Sequence, residues 1–302
     1  MRRKIFITGA AGKTGTALLE LLLGRDAADS GHPPAFRLPS GLEADVACLC
    51  RSDACRHRLS RFPVDIKQGD ASNARSLGQA YGGEEIVVDL SSIFHAPTIM
   101  ESCGKAKHLI VISSTGLFSR YRRNAGEIAR CESLIESSGI PFTILRPTMI
   151  YGTPDDRNIS RLVRLVARSP VVPLPGGGRA RFQPVHVRDL AGCIAACIEA
   201  DAGIGRSYDV PGGSAHSLSE IVRIIAGLLG KRVLTPPVPL AAASLAAELI
   251  GSRIDPEQIE RLREDKIFSY DDAARDLGYA PMTFEEGVRL QLDAMGLLAG
   301  RE

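Results

Sequence analysis

From residue 4 to residue 146, short apolar runs alternate with segments of helical period, and few folds accommodate that order. Strand-like runs are read at Lys4–Thr8, Asp45–Cys50, Val64–Lys67, Glu85–Leu90, His108–Ser113 and Phe142–Arg146. Helices are read between them at Lys13–Leu23, Ala54–Arg61, Asn73–Tyr81 (with Ser72 as its cap), Pro97–Lys105 and Gly126–Ser137. Val/Ile-rich strands alternating with helices imply a parallel sheet covered on both faces. Right-handed crossovers then give a doubly wound α/β sheet of the Rossmann kind. The Pro-, Gly- and Ser-rich stretch Arg25–Glu43 is read as a surface loop inserted after the first helix.

Beyond Gly152 the alternation loosens. A basic helix is read at Asn158–Arg168, a Pro/Gly turn region at Pro170–Gly178 and a strand at Gln183–Val187. A helix at Asp189–Glu199, N-capped by Asp189, a strand at Ser207–Val210 and a helix at Leu218–Leu229 follow. The expected organisation is a dinucleotide-binding domain over residues 1–152 and a smaller mixed substrate lobe over 153–302, with some segments returning to the sheet.

Composition narrows the function classes. Of 302 residues, 44% are hydrophobic and 24% charged, as in a folded globular chain and unlike a disordered one. A net charge of +2 gives no nucleic-acid or membrane signal, and the absence of Trp argues against an aromatic platform for bases. No run approaches the roughly 18 apolar residues of a membrane span; Val238–Ile250 comes nearest and contains Glu248. The opening MRRKIFITGAAG has too short an apolar run for a signal peptide, so a cytoplasmic location is expected. The seven cysteines are then expected to be reduced thiols. Cys48, Cys50, Cys55 and His57 lack the paired spacing of a zinc site and are read as core plus loop, without a metal. Cys193 and Cys197, four apart on a helix, are read as core.

Gly9, Gly12 and Gly15 form G-x-x-G-x-x-G between the first strand and the first helix. In that context the first glycine permits the turn, the second lets backbone approach a pyrophosphate, and the third lets helix pack on strand. Backbone N–H groups near Lys13 and Thr14 then face the phosphates. Gly12-Lys13-Thr14 also ends a P-loop pattern, but Ile7 stands where that motif needs its first glycine. Arg51 follows the second strand where an NAD site has Asp or Glu, so NADP is favoured over NAD, with Ser52, Arg56 and Arg58 as further candidates. Asp70 is read as a partner for the adenine amino group or as a cap of the next helix.

The chain resembles the extended and atypical short-chain dehydrogenase/reductases, the NAD(P)-dependent epimerase/dehydratase and NmrA-like group. The likeness rests on TGAAGKTG (8–15), GDAS (69–72), VISSTGLF (111–118), ILRPTMIYG (144–152), PVHVRDLA (184–191) and the ending EDKIFSYDDAARDLGYAP (264–281). It implies that Gly9, Gly12, Lys13, Thr14 and Gly15 cradle the pyrophosphate. It further implies Arg51 at the 2′-phosphate, Asp70 and Ala71 at the adenine, and Leu90 and Ser91 beside a ribose. Ser113 would stand at the nicotinamide ribose, Pro147, Thr148 and Met149 along the nicotinamide, and Ser114 as the catalytic serine.

The family's Tyr-x-x-x-Lys pair does not appear. Counting back from Glu132 puts Ile128 in the lysine's place and Asn124 in the tyrosine's. Loss of a general acid commonly costs carbonyl reduction a factor of about 10² to 10⁴. Tyr121 is the substitute carried forward; Tyr151 is a second, and both also read as ordinary loop or strand-end residues. Lys13, Arg120, Arg122 and Arg123 could bring positive charge to the cofactor, and Arg120–Arg123 also reads as a solvated face. Sugar-nucleotide relatives carry an arginine where this chain has Phe182, flanked by Arg179 and Arg181. A one-residue offset on a strand turns a side chain to the other face, so a sugar nucleotide is allowed without being indicated. His186 is read as structural.

Two functions are thus expected to compete. One is an NADP-dependent oxidoreductase or epimerase-like enzyme for a small carbonyl or hydroxyl substrate, with Ser114 and Tyr121 as catalytic residues. The other is a non-catalytic NADP-binding redox sensor or assembly protein. Neither needs nucleic acid or a membrane, and a homodimer is the assembly considered.

Overall fold

The computed structural model describes residues 2–23, 36–37, 40–41, 43–199, 203–242 and 260–298. Most of the Arg25–Glu43 insertion lies outside them. The elements run β1 (Arg3–Thr8), α1 (Lys13–Leu23), β2 (Phe36–Arg37), β3 (Glu43–Cys50), α2 (Asp53–Leu59), β4 (Asp65–Gln68) and α3 (Ala74–Ala80). Next come β5 (Ile86–Asp89), α4 (Ala96–Cys103), β6 (His108–Ile112), α5 (Ala125–Glu136) and β7 (Phe142–Pro147). The second half carries β8 (Ile150–Tyr151), α6 (Ile159–Arg168), β9 (Leu174–Pro175), β10 (Arg181–Phe182), β11 (Val185–His186) and α7 (Val187–Glu199). It continues with β12 (Arg206–Val210), β13 (His216–Ser217), α8 (Leu218–Leu228), β14 (Pro237–Val238) and helices Asp271–Leu277 and Phe284–Ala294.

The main sheet runs β12-β7-β6-β5-β1-β3, and β4 lies parallel on the outer side of β3. Strand β2 joins the start of β3 antiparallel; the remaining pairings are parallel. This is the doubly wound order expected from the alternation. The order reverses between β1 and β5, which opens a crevice at their carboxyl ends. Strand β12, from the second half of the chain, completes the sheet against β7.

Side chains two apart on each strand enter the same core. Ile5 and Ile7 of β1, Val46 and Cys48 of β3 and Ile86 and Val88 of β5 join Leu18, Leu22 and Ile194 on one face. Phe6, Ala47, Leu49 and Val87 join Leu77, Ile99, Ile128 and Ile135 on the other. Each fully buried aliphatic side chain contributes about 1.5–3 kcal/mol by leaving water, so the sheet is held from both sides. A third cluster, including Ile159, Val163, Ile221, Phe284 and Leu292, packs segments of the second half of the chain together. Capping boxes start two of its helices, Ser217 with Glu220 and Thr283 with Glu286. Among the described residues, no helix is long and apolar enough to cross a membrane.

Several local expectations are corrected. Asn73, not Ser72, caps α3: its side chain accepts from the Ser76 N–H, while Ser72 donates to Asp70. The strand expected at Gln183–Val187 shrinks to β11, because Val187 already begins α7. Asp189 therefore sits inside the first helical turn, and its carboxylate accepts from the Met282 N–H at 3.2 Å. The Pro/Gly region Pro170–Gly178 contains β9, which pairs with β14.

Candidate active site

The glycine turn is shaped by backbone contact. Gly9 has φ +68°, and a Cβ there would stand 2.6–2.7 Å from Leu90 and Ser91 backbone atoms. A Cβ on Gly15 would stand 2.4 Å from the Ala10 carbonyl oxygen. The first glycine thus lets β1 meet the end of β5, and the third lets α1 lie on the turn. Gly12 accepts a Cβ less severely, 3.1 Å from the Gly9 carbonyl, and its N–H closes the turn onto that carbonyl at 2.9 Å. The first N–H groups of α1 have no intrahelical partners and point out of this cradle, which fits a dinucleotide's phosphates. Lys13 reaches across the crevice and donates to the Asp155 carbonyl at 2.7 Å.

Past the end of β3, Arg51 is exposed, with its guanidinium 3.8 Å from Asp70. Asp70 accepts from the N–H and hydroxyl of Ser72, and these bonds, then Arg51, lower its pKa from the usual carboxylate value. One carboxylate oxygen closes its own turn and the other faces Arg51, so this residue is not the helix cap. Ser52 caps α2, Arg56 contacts Gln68 and Arg58 reaches the Ala11 carbonyl at 3.5 Å. Ala71 is buried beside Asp70. At the end of β5, Thr8 and Ser91 both donate to one oxygen of the buried Asp89, and Ser91 Oγ lies 2.9 Å from His95 Nδ1. Leu90, half-buried, adds its N–H to the Thr8 carbonyl.

A cleft of ≈ 1020 Å³ opens beyond the ends of β6 and β7. Ser114, Thr148, Met149 and Lys13 line it; Tyr121 does not, and stands exposed on the loop before α5. Tyr151 is fully buried, its hydroxyl 3.4 Å from the Phe284 carbonyl, so it does not serve the cleft either. Pro147 is buried behind the wall, its carbonyl accepting from Thr115. Ser113 does not present its hydroxyl to the cleft: it donates to buried Glu132, which also takes a bidentate ion pair from Arg146. That network was invisible as a pattern, because its members lie on β6, α5 and β7.

The positions of the absent Tyr-Lys pair are filled differently. Ile128 is fully buried in the core under the sheet. Asn124 accepts from Arg122 Nε at 2.8 Å, and Arg122 Nη1 donates to Ser114 Oγ at 2.9 Å. The Arg122 guanidinium lies over Gly116, where a Cβ would collide with it. Arg122 is therefore part of the site and not of a solvated face. Its place in the run Arg120–Arg123 carried no mark that separated it from its neighbours.

His186 is buried between Gly152 and Gly287, and burial, then Arg188, lowers its pKa to about 4. Its Nδ1 accepts from the Arg188 N–H, so Nε2 carries the hydrogen. The folded state resists the proton that the unfolded chain takes up near 6.5, so this group's contribution is full above 6.5 and lost as pH falls toward 4. His186→Gln is expected to remove that loss: relative to the variant, the parent should lose about 3 kcal/mol between pH 6.5 and 4. Parallel urea curves at both pH values would refute this if the difference between the two proteins stayed constant.

The doubly wound sheet and the glycine turn at its switch point have the architecture of the Rossmann fold. The model of the NAD dependent epimerase/dehydratase family matches residues 121–210. The UDP-glucose 4-epimerase of Vibrio cholerae is 28% identical over 160 residues, which are 52% of this chain and 47% of the epimerase. The chain thus spans about half the length of that relative. Among solved structures, Citrobacter sp. triphenylmethane reductase with NADP(H) superposes with a TM-score of 0.74 at 18% identity, covering 95% of this chain and all of the reductase (100%). The UDP-glucuronic acid 4-epimerase of Bacillus cereus, with UDP-glucuronic acid and NAD, gives 0.73 at 17% identity, covering 98% and 99%. At these identities the structural likeness is one of fold. The Bacillus cereus structure holds NAD and the Citrobacter structure NADP(H).

Proposed function

We propose that this chain is an NADP-dependent oxidoreductase or epimerase/dehydratase-like enzyme acting on the carbonyl or hydroxyl group of a small molecule. The observation that carries it is the Ser114 hydroxyl on the cleft wall, backed by a cation. Ser114 Oγ accepts from Arg122 and from the Gly116 N–H, at 2.9 and 3.0 Å. With its acceptor sites filled, its own hydrogen is left to donate to a substrate oxygen in the cleft. Arg122 behind it favours negative charge growing on that oxygen. NADP would supply or accept the hydride, held by the Gly9–Gly15 cradle. Arg51 supports the choice of NADP, and the epimerases among the relatives keep a sugar nucleotide within the substrate range.

A titration of NADPH and NADH against the purified chain and Arg51→Ala tests the cofactor. The parent should prefer NADPH, and the variant should lose about tenfold in NADPH affinity with NADH unchanged, as expected for one charge-assisted contact. Equal losses for both nucleotides would remove Arg51 from the 2′-phosphate. In turnover assays with carbonyl compounds and sugar nucleotides, Ser114→Ala should abolish any activity found.

The buried Ile128 and the Arg122-bound Asn124 favour a second reading, a non-catalytic NADP-binding sensor. It expects NADP+ and NADPH to bind with different affinities and no turnover by the parent protein.

A further inference from the structure

The outer wall of the cleft is largely apolar: Phe118, Leu162, Leu165, Leu262 and Ile267 line it. Phe118, Leu165 and Ile267 are 50%, 43% and 43% exposed. Large apolar side chains left open and grouped in one concavity mark a place for an apolar ligand body.

Cations meet this wall. Strand β10 offers Phe182 to the cleft, not an arginine. Lys266 comes to the same place from far along the chain, its N–H bonded to the Arg181 carbonyl at 2.8 Å and its Nζ 5.0 Å from the Phe182 ring centre. Nζ also donates to the Arg261 carbonyl at 2.6 Å. Its carboxylate neighbour, Glu264, is 3.9 Å away and already accepts from the Ser119 hydroxyl and the Arg120 N–H. The other two carboxylates on the cleft are engaged as well. Asp156 takes the N–H groups of Asn158 and Ser160 and the Gln291 amide, and Asp265 takes the Arg181 N–H. Five cations line the same space: Lys13, Arg157, Arg161, Arg261 and Lys266. Among the described residues, the buried Nε of Arg261 has no hydrogen-bond partner. Burial, then Arg261, lowers the Lys266 ammonium to about 8, as expected where a cation lacks a full counter-charge.

We propose that the cleft takes an amphipathic oxyanion, with its carboxylate or phosphate on Lys266 and Arg261 and its apolar body along Phe118, Leu165 and Ile267. This names the substrate class of the enzyme proposed above and rests on that reading of the cleft as its substrate side. A carboxylate or phosphate without an apolar tail leaves the wall wet, and an apolar molecule without the anion leaves the buried Nε of Arg261 without a partner.

The test is calorimetric titration of the full chain with decanoate, decyl phosphate, decanol and UDP-glucose, with NADPH titrated separately. At least one of decanoate and decyl phosphate should bind about tenfold or more tighter than decanol and UDP-glucose, and which of the two leads tells carboxylate from phosphate. In Lys266→Met the preference for the anion over decanol should shrink to about twofold or less, with NADPH affinity kept as the sign of an intact fold. Leu165→Asp, on the exposed side of α6, should weaken all three ten-carbon probes and decides the matter should the lysine variant fail to fold. Equal affinity for decanol and the anions, tightest binding of UDP-glucose, or no change in either variant overturns the proposal. Failure of the parent to bind NADPH, with the decyl anions still bound, instead overturns the cofactor reading.

Discussion

Alanine at position 9 is expected to abolish dinucleotide binding and to destabilise the fold. The residue holds φ +68°, and an added Cβ would sit 2.6–2.7 Å from the backbone of Leu90 and Ser91. Neither neighbour is a flexible side-chain end, so β1 or β5 has to move. A left-handed backbone with a Cβ costs about 1–2 kcal/mol, and overpacking adds about 1–3 kcal/mol. The same shift drags the start of α1 away from the phosphates. NADPH affinity should fall by more than about a hundredfold, which about 3 kcal/mol would produce. Gly12→Ala is the contrast: its Cβ would meet only the Gly9 carbonyl, at 3.1 Å. Calorimetry and urea unfolding on both variants check the ordering, and equal effects would show that steric crowding at the turn is not what matters.

Glu132→Ala should be the most costly change away from the turn. The carboxylate is buried and accepts from Ser113 and from Arg146, whose Nε and Nη2 both donate to Oε2 and whose Nε also reaches Oε1 at 3.2 Å. Removing it leaves a largely buried guanidinium with Asp209, 4.0 Å away, and the more distant Glu136 as counter-charges among the described residues. Breaking a buried pair from one side typically costs about 3–5 kcal/mol. Removing both charges together, as Glu132→Leu with Arg146→Met, is often close to neutral, so the double variant should recover most of the loss. Urea curves decide the matter: a double variant as unstable as the single one would mean the pair itself, not the stranded charge, sustains this region. The Arg146 guanidinium also lies 5.7 Å from the Phe118 ring, so the single variant is expected to loosen the cleft wall.

The order of elements and the glycine turn could be read along the chain because their causes are local. A strand between two cores shows as a run of Val and Ile, and a turn that must touch a neighbouring backbone shows as Gly9 and Gly15. Element ends were less legible: Ser72 and Asn73 are both competent caps, and only the start of α3 at Ala74 selects between them. The first turn of α7 is similar, since Asp189 resembles a cap until Val187 is found to be helical already. Distant pairings were not legible. Lys266 meets Phe182 across more than eighty residues of chain, and Arg122 differs from Arg120 and Arg123 only in which way its loop carries it.

The amino-acid order alone determined the doubly wound sheet and its glycine turn, since hydrophobic period and backbone freedom are properties of neighbours in sequence. The tertiary structure alone decided that Ser113 is spent on Glu132, that Arg122 backs Ser114 and that Lys266 stands over Phe182, where β10 turns no cation into the cleft. Charges and hydroxyls take partners by distance in space, and that distance exists only once the sheet has brought its strand ends together.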